Sequence, residues 1–144
     1  MGRVRVFMSF DHGHDQDLKQ RLVEESAKAG SGFEVVGASE AAGMTEAWNA
    51  RVRRQIAAAD EVIVLCGAHT QDSLQVATEI GIAQEEKKPY FLVWGRRETM
   101  CTKPIGAKPN DGMYSWTSTI IRDQIAVTMR AARPTEVPER YKRP

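Results

Sequence analysis

Glu79 is the carboxylate of this chain whose setting raises a chemical question. It lies in HTQDSLQVATEIGIAQEEKKP (residues 69–89), six residues after Ser73, in a segment with helical spacing. Thr70 and Asp72 are suited to capping such a helix. At about 100° per residue, Leu74, Ala77, Ile80 and Gly81 gather on one side with Thr70 and Ser73. Glu79 falls at the border of that arc, beside Val76 and Ala83 and in line with Asp72 and Glu86. Periodicity alone therefore reads Glu79 as a flank or surface carboxylate.

A second group is SFDHGHDQD (residues 9–17), with two histidines two apart among three aspartates. The nearest metal pattern is the H-x-H-x-D-H of metallo-β-lactamase-like hydrolases. Here the aspartate is out of register and the last histidine is missing, although His69 follows a strand at the same sheet edge. The reading adopted is a solvated loop, with Asp15 capping the next helix and no metal. Cys66 sits in the strand-like run EVIVLCG, where a thiol behaves as a small hydrophobe, and Cys101 in a loop-like stretch. Neither has a catalytic motif behind it, and no disulfide is expected in a reducing compartment. Trp48 lies on an apolar helical stripe with Val52 and Ile56. Phe10 ends the first strand, so it is expected to point toward the ligand edge and stack on a base or a nicotinamide.

The elements that must position these groups alternate between strand and helix. Strands are predicted over 3–10, 33–37, 61–67 and 89–95, and helices over 15–30, 45–60, 70–87 and 117–132. EVIVLCG and PYFLVWG are continuous apolar runs of the kind buried on both faces. Such alternation predicts right-handed crossovers and a parallel sheet covered on both sides, an α/β three-layer sandwich of the flavodoxin-like type. The strand order is predicted as 2-1-3-4, in a sheet of four strands, or of five if the polar loop 96–116 holds a further short one. Ligands bind beyond the C-terminal ends of strands in such sheets. That edge carries Ser9 to Asp15, Ala38 to Gly43, Gly67 to Ser73 and Gly95 onward.

Composition narrows the function. At 144 residues the chain is the size of one domain, expected over 1–132, with 133–144 as a mobile tail holding three prolines and four basic residues. A net charge of +1 gives no electrostatic case for nucleic acid or an anionic membrane. No apolar run approaches the roughly 20 residues that span a bilayer, and MGRVRVFMSF is too short and charged for a signal peptide. The expected location is the cytoplasm. The third strand ends LCGAH, without the aspartate a phosphoacceptor site needs, and neither a P-loop nor a G-x-G-x-x-G is present.

Read as a motif, TQDSLQVATEI resembles the signature of TIR domains, in which a serine at the start of the third helix is followed six residues later by glutamate and then Leu or Ile. Ser73, Glu79 and Ile80 match that spacing. VFMSFDHGHD resembles the TIR opening strand and loop, and ARVRRQIAAADEVIVL the basic helix leading to a Val-Ile-Val strand. MYSWTSTIIRDQI resembles the closing Trp and last helix of the small prokaryotic TIR-like family that includes the TIR proteins of the Thoeris antiphage system. The likeness runs over about residues 3–132. Two positions depart from it. Gln75 stands where TIR domains usually have tryptophan, and ASEAAGMTEA (residues 38–47) lacks the usual Arg-Asp-Pro-Gly type sequence.

The resemblance implies a TIR-like enzyme that cleaves the nicotinamide–ribose bond of NAD+, its substrate, with no separate cofactor. The product would be ADP-ribose or a cyclic ADP-ribose-type messenger, made in antiphage defence. Nicotinamide leaves as a neutral molecule, so no general acid is needed, and one carboxylate suffices to stabilise an oxocarbenium-like transition state. Glu79 takes that catalytic role by resemblance. Phe10 would stack against nicotinamide or adenine, while Asp11, Ser39 and Ser73 would bind polar edges of the substrate. A helix N-terminus nearby favours the pyrophosphate. The implied partners are NAD+, further copies of the chain through self-association, and a separately encoded messenger-sensing effector. Two other readings stand beside this one. Many TIR domains are adaptors without catalysis, and nucleoside 2-deoxyribosyltransferase-like enzymes share the topology and a helix-borne glutamate that acts as a nucleophile.

Overall fold

The computed structural model describes residues 3–41 and 43–132. The expected mobile tail, residues 133–144, lies outside the described residues.

Five strands form one all-parallel sheet: β1 (Val4–Phe10), β2 (Phe33–Ala38), β3 (Glu61–Cys66), β4 (Tyr90–Trp94) and β5 (Met113–Ser115). Their order is β2-β1-β3-β4-β5. The predicted flavodoxin-like order 2-1-3-4 holds, and the polar loop does contain a fifth strand, three residues long. Among the described residues three α-helices link strands, α1 (Gln16–Ala27), α2 (Glu46–Ala58) and α3 (Leu74–Glu85), and α4 (Ser118–Ala132) follows β5.

Alternation along each strand sorts side chains into two cores. Phe7, Val62, Val64, Cys66 and Leu92 face α2 and α3, which contribute Trp48, Val52, Ile56, Val76, Ile80 and Ala83. Val6, Met8, Phe10, Ile63, Leu65, Phe91 and Val93 face α1 and α4, which contribute Leu18, Leu22, Ile121 and Ile125. β3 is buried at every position, because it is the central strand of a sheet covered on both faces. Burying a side chain such as Leu or Phe contributes about 1.5–3 kcal/mol, so these two layers carry most of the folding free energy. Among the described residues no helix is long and apolar enough to cross a membrane.

Three local expectations need correction. The third helix is shorter than 70–87. Thr70–Asp72 form a separate 3-10 turn, and Ser73 rather than Thr70 or Asp72 caps α3, accepting from Val76 N at 3.2 Å. The buried face of α3 is Val76, Glu79, Ile80, Ile82 and Ala83, while Leu74 is 68% exposed. Apolar residues run almost round this helix, so its stripe had no clear centre. Taking Leu74 as an anchor turned the predicted face away from Glu79. Asp15, lastly, is the first flanking residue of α1 but makes no side-chain cap. Its carboxylate is buried instead, with Oδ1 accepting from Arg96 Nη2 at 2.9 Å.

The long loop after β4 is pinned to the sheet edge. Arg96 also binds Asp17 at 2.7 and 2.8 Å and the His14 carbonyl at 3.2 Å. Thr102 N donates to Gly67 O, and Thr102 Oγ1 accepts from Gln71 N. The loops that follow β1, β3 and β4 are therefore one connected rim.

Candidate functional site

Glu79 has no exposed surface (0%). It projects from the second turn of α3 onto the end of β1, where alternation turns Ser9 toward α2 and α3 and Phe10 away from them. Ser9 Oγ donates to Glu79 Oε1 at 2.6 Å. Ser39 Oγ, immediately after β2, donates to the same oxygen at 2.5 Å and accepts from Phe10 N at 3.0 Å. Both are short, as bonds to an ionised acceptor are. Gln75 Nε2, one helical turn before Glu79, reaches Oε2 at 3.3 Å and Glu40 O at 2.6 Å. Gln75 therefore ties the segment after β2 across the carboxylate.

Burial in a low-dielectric core disfavours the charged carboxylate and raises its pKa to about 7. The hydrogen bonds from Ser39, Ser9 and Gln75 oppose that rise, and the nearby Glu40 adds to it. A group with this pKa changes protonation near neutral pH, which is where a catalytic carboxylate is useful.

The structure brings Glu79 and Ser39 together and places the other sequence-derived residues elsewhere. Phe10 is fully buried on the opposite face of the sheet, among Val6, Met8 and Leu18. Its ring does not reach the Glu79 side, because strand alternation separates neighbours in sequence; it contacts His12 instead, at 6.0 Å between centroids. Asp11 is engaged within its own loop, with Oδ1 accepting from Gly13 N at 3.0 Å and Oδ2 at 2.8 Å from His14 Nδ1. Ser73 sits at the start of α3 and accepts there from Val76 N, which leaves its hydroxyl proton for another acceptor. In this conformation Glu79 is sealed from solvent.

Two residues of the cluster were missed. Ser9 interrupts an otherwise apolar strand end, and a lone hydroxyl there is a signal that a polar partner faces it. Gln75 stood out only as a departure from the usual tryptophan; four residues before Glu79 on a helix, it lies on the same face. The histidines do converge in part, since the His14 and His69 rings stack with centroids 4.0 Å apart. Among the described residues no group of three His, Cys, Asp or Glu is placed to hold a metal ion. Cys66 and Cys101 are both buried free thiols, and burial pushes the Cys66 thiol far up from its ordinary range.

A parallel sheet in the order β2-β1-β3-β4-β5, covered on both faces by helices, defines a flavodoxin-like domain. Residues 7–99 match the family described as Thoeris protein ThsB, TIR-like domain, and the chain belongs to that family. Among solved structures, a prokaryotic SEFIR domain is similar in fold, with TM-score 0.52 and 17% identity over 98% of this chain and 97% of that one. A 3-dehydroquinate dehydratase-like protein from Bifidobacterium longum gives TM-score 0.46 and 17% identity over 90% of this chain and 99% of that one; at that score it adds nothing to the argument. No curated protein sequence matches the chain. Family membership supports a TIR-like role in defence signalling, and self-association or binding to other proteins is common among such domains.

Proposed function

We propose that this chain is an NAD+-consuming signalling enzyme that breaks the nicotinamide–ribose bond, with Glu79 as its catalytic carboxylate. The observation that carries the reading is the clasped, buried carboxylate at the ligand edge of a ThsB-family sheet, with a pKa raised to about 7. When the C–N bond breaks, its electron pair leaves with nicotinamide, which becomes neutral. The ribose is left oxocarbenium-like, and ionised Glu79 stabilises that positive charge. Water then adds to the ribose carbon and loses a proton to solvent, giving ADP-ribose. A hydroxyl of the ADP-ribose unit adding in place of water gives a cyclic isomer.

Substrate entry requires the Gln75–Glu40 tie to open, because Glu79 is sealed in this conformation. Ser9 and Ser39 hold the carboxylate and do not touch substrate in this reading. Asp11 and Ser73, on the rim, are assigned to polar edges of the substrate. The product is read in the cytoplasm by a separately encoded messenger-sensing effector.

The complete burial of Glu79 favours one second reading, a non-catalytic interaction module in which the Ser9–Ser39–Glu79 cluster is a structural clasp. A nucleoside 2-deoxyribosyltransferase-like reaction is the remaining alternative. The test is incubation of the purified protein with NAD+, and separately with deoxynucleosides, with released base followed by chromatography and product mass. Nicotinamide release that vanishes in Glu79→Gln supports the proposal. Equal release by both proteins overturns it, and base release from deoxynucleosides alone moves the assignment to the transferase.

A further inference from the structure

The ligand edge of the sheet holds a second concavity, at the opposite end from the Glu79 cluster. It lies where β4 and β5 end, between α1 and the start of α4, and encloses about 800 Å3. Small-molecule sites run to roughly 300–1,000 Å3. It is lined by Arg21, Trp94, Arg97, Ser115, Trp116 and Thr117; the Trp116 side chain packs with the α1–α4 core, on the side of Arg21, whereas that of Trp94 packs with the α2–α3 core on the other face of the sheet. Among the described residues no carboxylate lines it.

Arg21 is held in place. Its Nη1 donates to Gly95 O at 2.9 Å, and its guanidinium carbon lies 4.2 Å from the centre of the Trp116 ring. Among the described residues neither Arg21 nor Arg97 forms an ion pair. The contrast with Arg96 is direct. Arg96 is saturated by Asp15 and Asp17, whereas its neighbour Arg97 is exposed and lines the cavity. Two unneutralised cations in one concavity raise the local positive potential and favour an anionic ligand.

We propose that this cavity is a second binding site, for a nucleotide, whose base packs against Trp116 and whose phosphate is held by Arg21 and Arg97. Indole rings offer flat apolar surface to a base. Guanidinium groups match phosphate oxygens in fork geometry. Inorganic phosphate alone would make no use of the indole, and an uncharged aromatic none of the two arginines. The site shares no residue with the Glu79 cluster, whose members come from β1, α3 and the segment after β2. It does not depend on the proposed NAD+ chemistry.

The test is titration of the full chain with AMP by calorimetry, with adenosine and inorganic phosphate as separate arms. Indole N–H signals are followed in parallel by NMR. AMP should bind saturably at one site, with adenosine and phosphate each weaker by about tenfold or more. The Trp116 indole signal should shift while that of Trp48, buried in the α2–α3 core, stays in place. Arg97→Glu should weaken AMP binding by about tenfold or more at an unchanged melting temperature, because Arg97 is exposed. Any of four results overturns the proposal: no saturable AMP binding, equal affinity for AMP and phosphate, full affinity in Arg97→Glu, or an unmoved Trp116 signal at saturation.

Discussion

Removing the Ser9 hydroxyl should move the titration of Glu79. Ser9→Ala is nearly isosteric, and Ser9 has one side-chain bond, the 2.6 Å donation to Glu79 Oε1. Ser39 is a less clean target, since its oxygen also accepts from Phe10 N. A hydrogen bond to a charged group is worth roughly 1.5–3 kcal/mol, which is about 1–2 pKa units. The lost bond favoured the ionised form, so the pKa should climb from about 7 to roughly 8–9. At neutral pH the ionised fraction would then fall from about half to between one and ten per cent. If ionised Glu79 stabilises the oxocarbenium ion, nicotinamide release near pH 7 should drop about five- to fiftyfold and recover toward pH 9. The assays are a rate profile from pH 5.5 to 9.5 and, independent of turnover, a carbon-13 NMR titration of the Glu79 carboxyl. An unmoved carboxyl titration in a folded Ser9→Ala protein would refute the account of how Ser9 acts. A shifted titration with an unshifted rate profile would refute the role of Glu79 ionisation in the reaction.

Four more changes test the site and the fold. Glu79→Gln should cost on the order of a hundredfold or more in rate while keeping the fold, because Gln retains an oxygen for Ser9 and Ser39. Glu86→Gln, at the C-terminal cap of α3 and paired with Arg53 of α2 at 3.1 Å, should leave activity unchanged. Glu61 is fully buried at the start of β3, its pKa raised to about 8 by burial, with Asp60 adding and the Thr128 hydrogen bond opposing. Its carboxyl is neutral in the fold while ionised in the unfolded chain across the window from about 4.5 to about 8. Stability from this group is complete below that window and is lost as pH rises through it, on the order of a few kcal/mol. Glu61→Gln should flatten the fall of melting temperature between pH 5 and 8.5, and an equally steep fall in the variant would sink that assignment. Gly95→Ala should destabilise by about 1–3 kcal/mol, since a Cβ there would lie 2.4 Å from Leu18 Cδ1 and 2.7 Å from Cys66 O. Urea unfolding measures it, and an unchanged midpoint would show that α1 yields without cost.

Much of the architecture was legible because it follows from short-range pattern. The apolar runs EVIVLCG and PYFLVWG, the alternating helices and the Trp48–Val52–Ile56 stripe dictate a parallel sheet covered on both faces, and the resemblance to the TIR signature brought Ser73, Glu79 and Ile80 into one motif. What the sequence could not determine was which way individual side chains turn at the sheet edge. Phe10 and Ser9 are adjacent in the chain, yet the pleat sends the ring to the α1–α4 core and the hydroxyl to Glu79. The phase of α3 was equally undetermined, because apolar residues nearly encircle it and only packing against α2, β1 and β3 selects a face. Glu79 passes from a border position on a helical wheel to a fully buried acid through contacts with residues 70 and 40 positions away in the chain. Its pKa, its clasp and its seal all come from that tertiary packing, since desolvation and hydrogen bonding depend on which atoms surround the carboxylate and not on its neighbours in sequence.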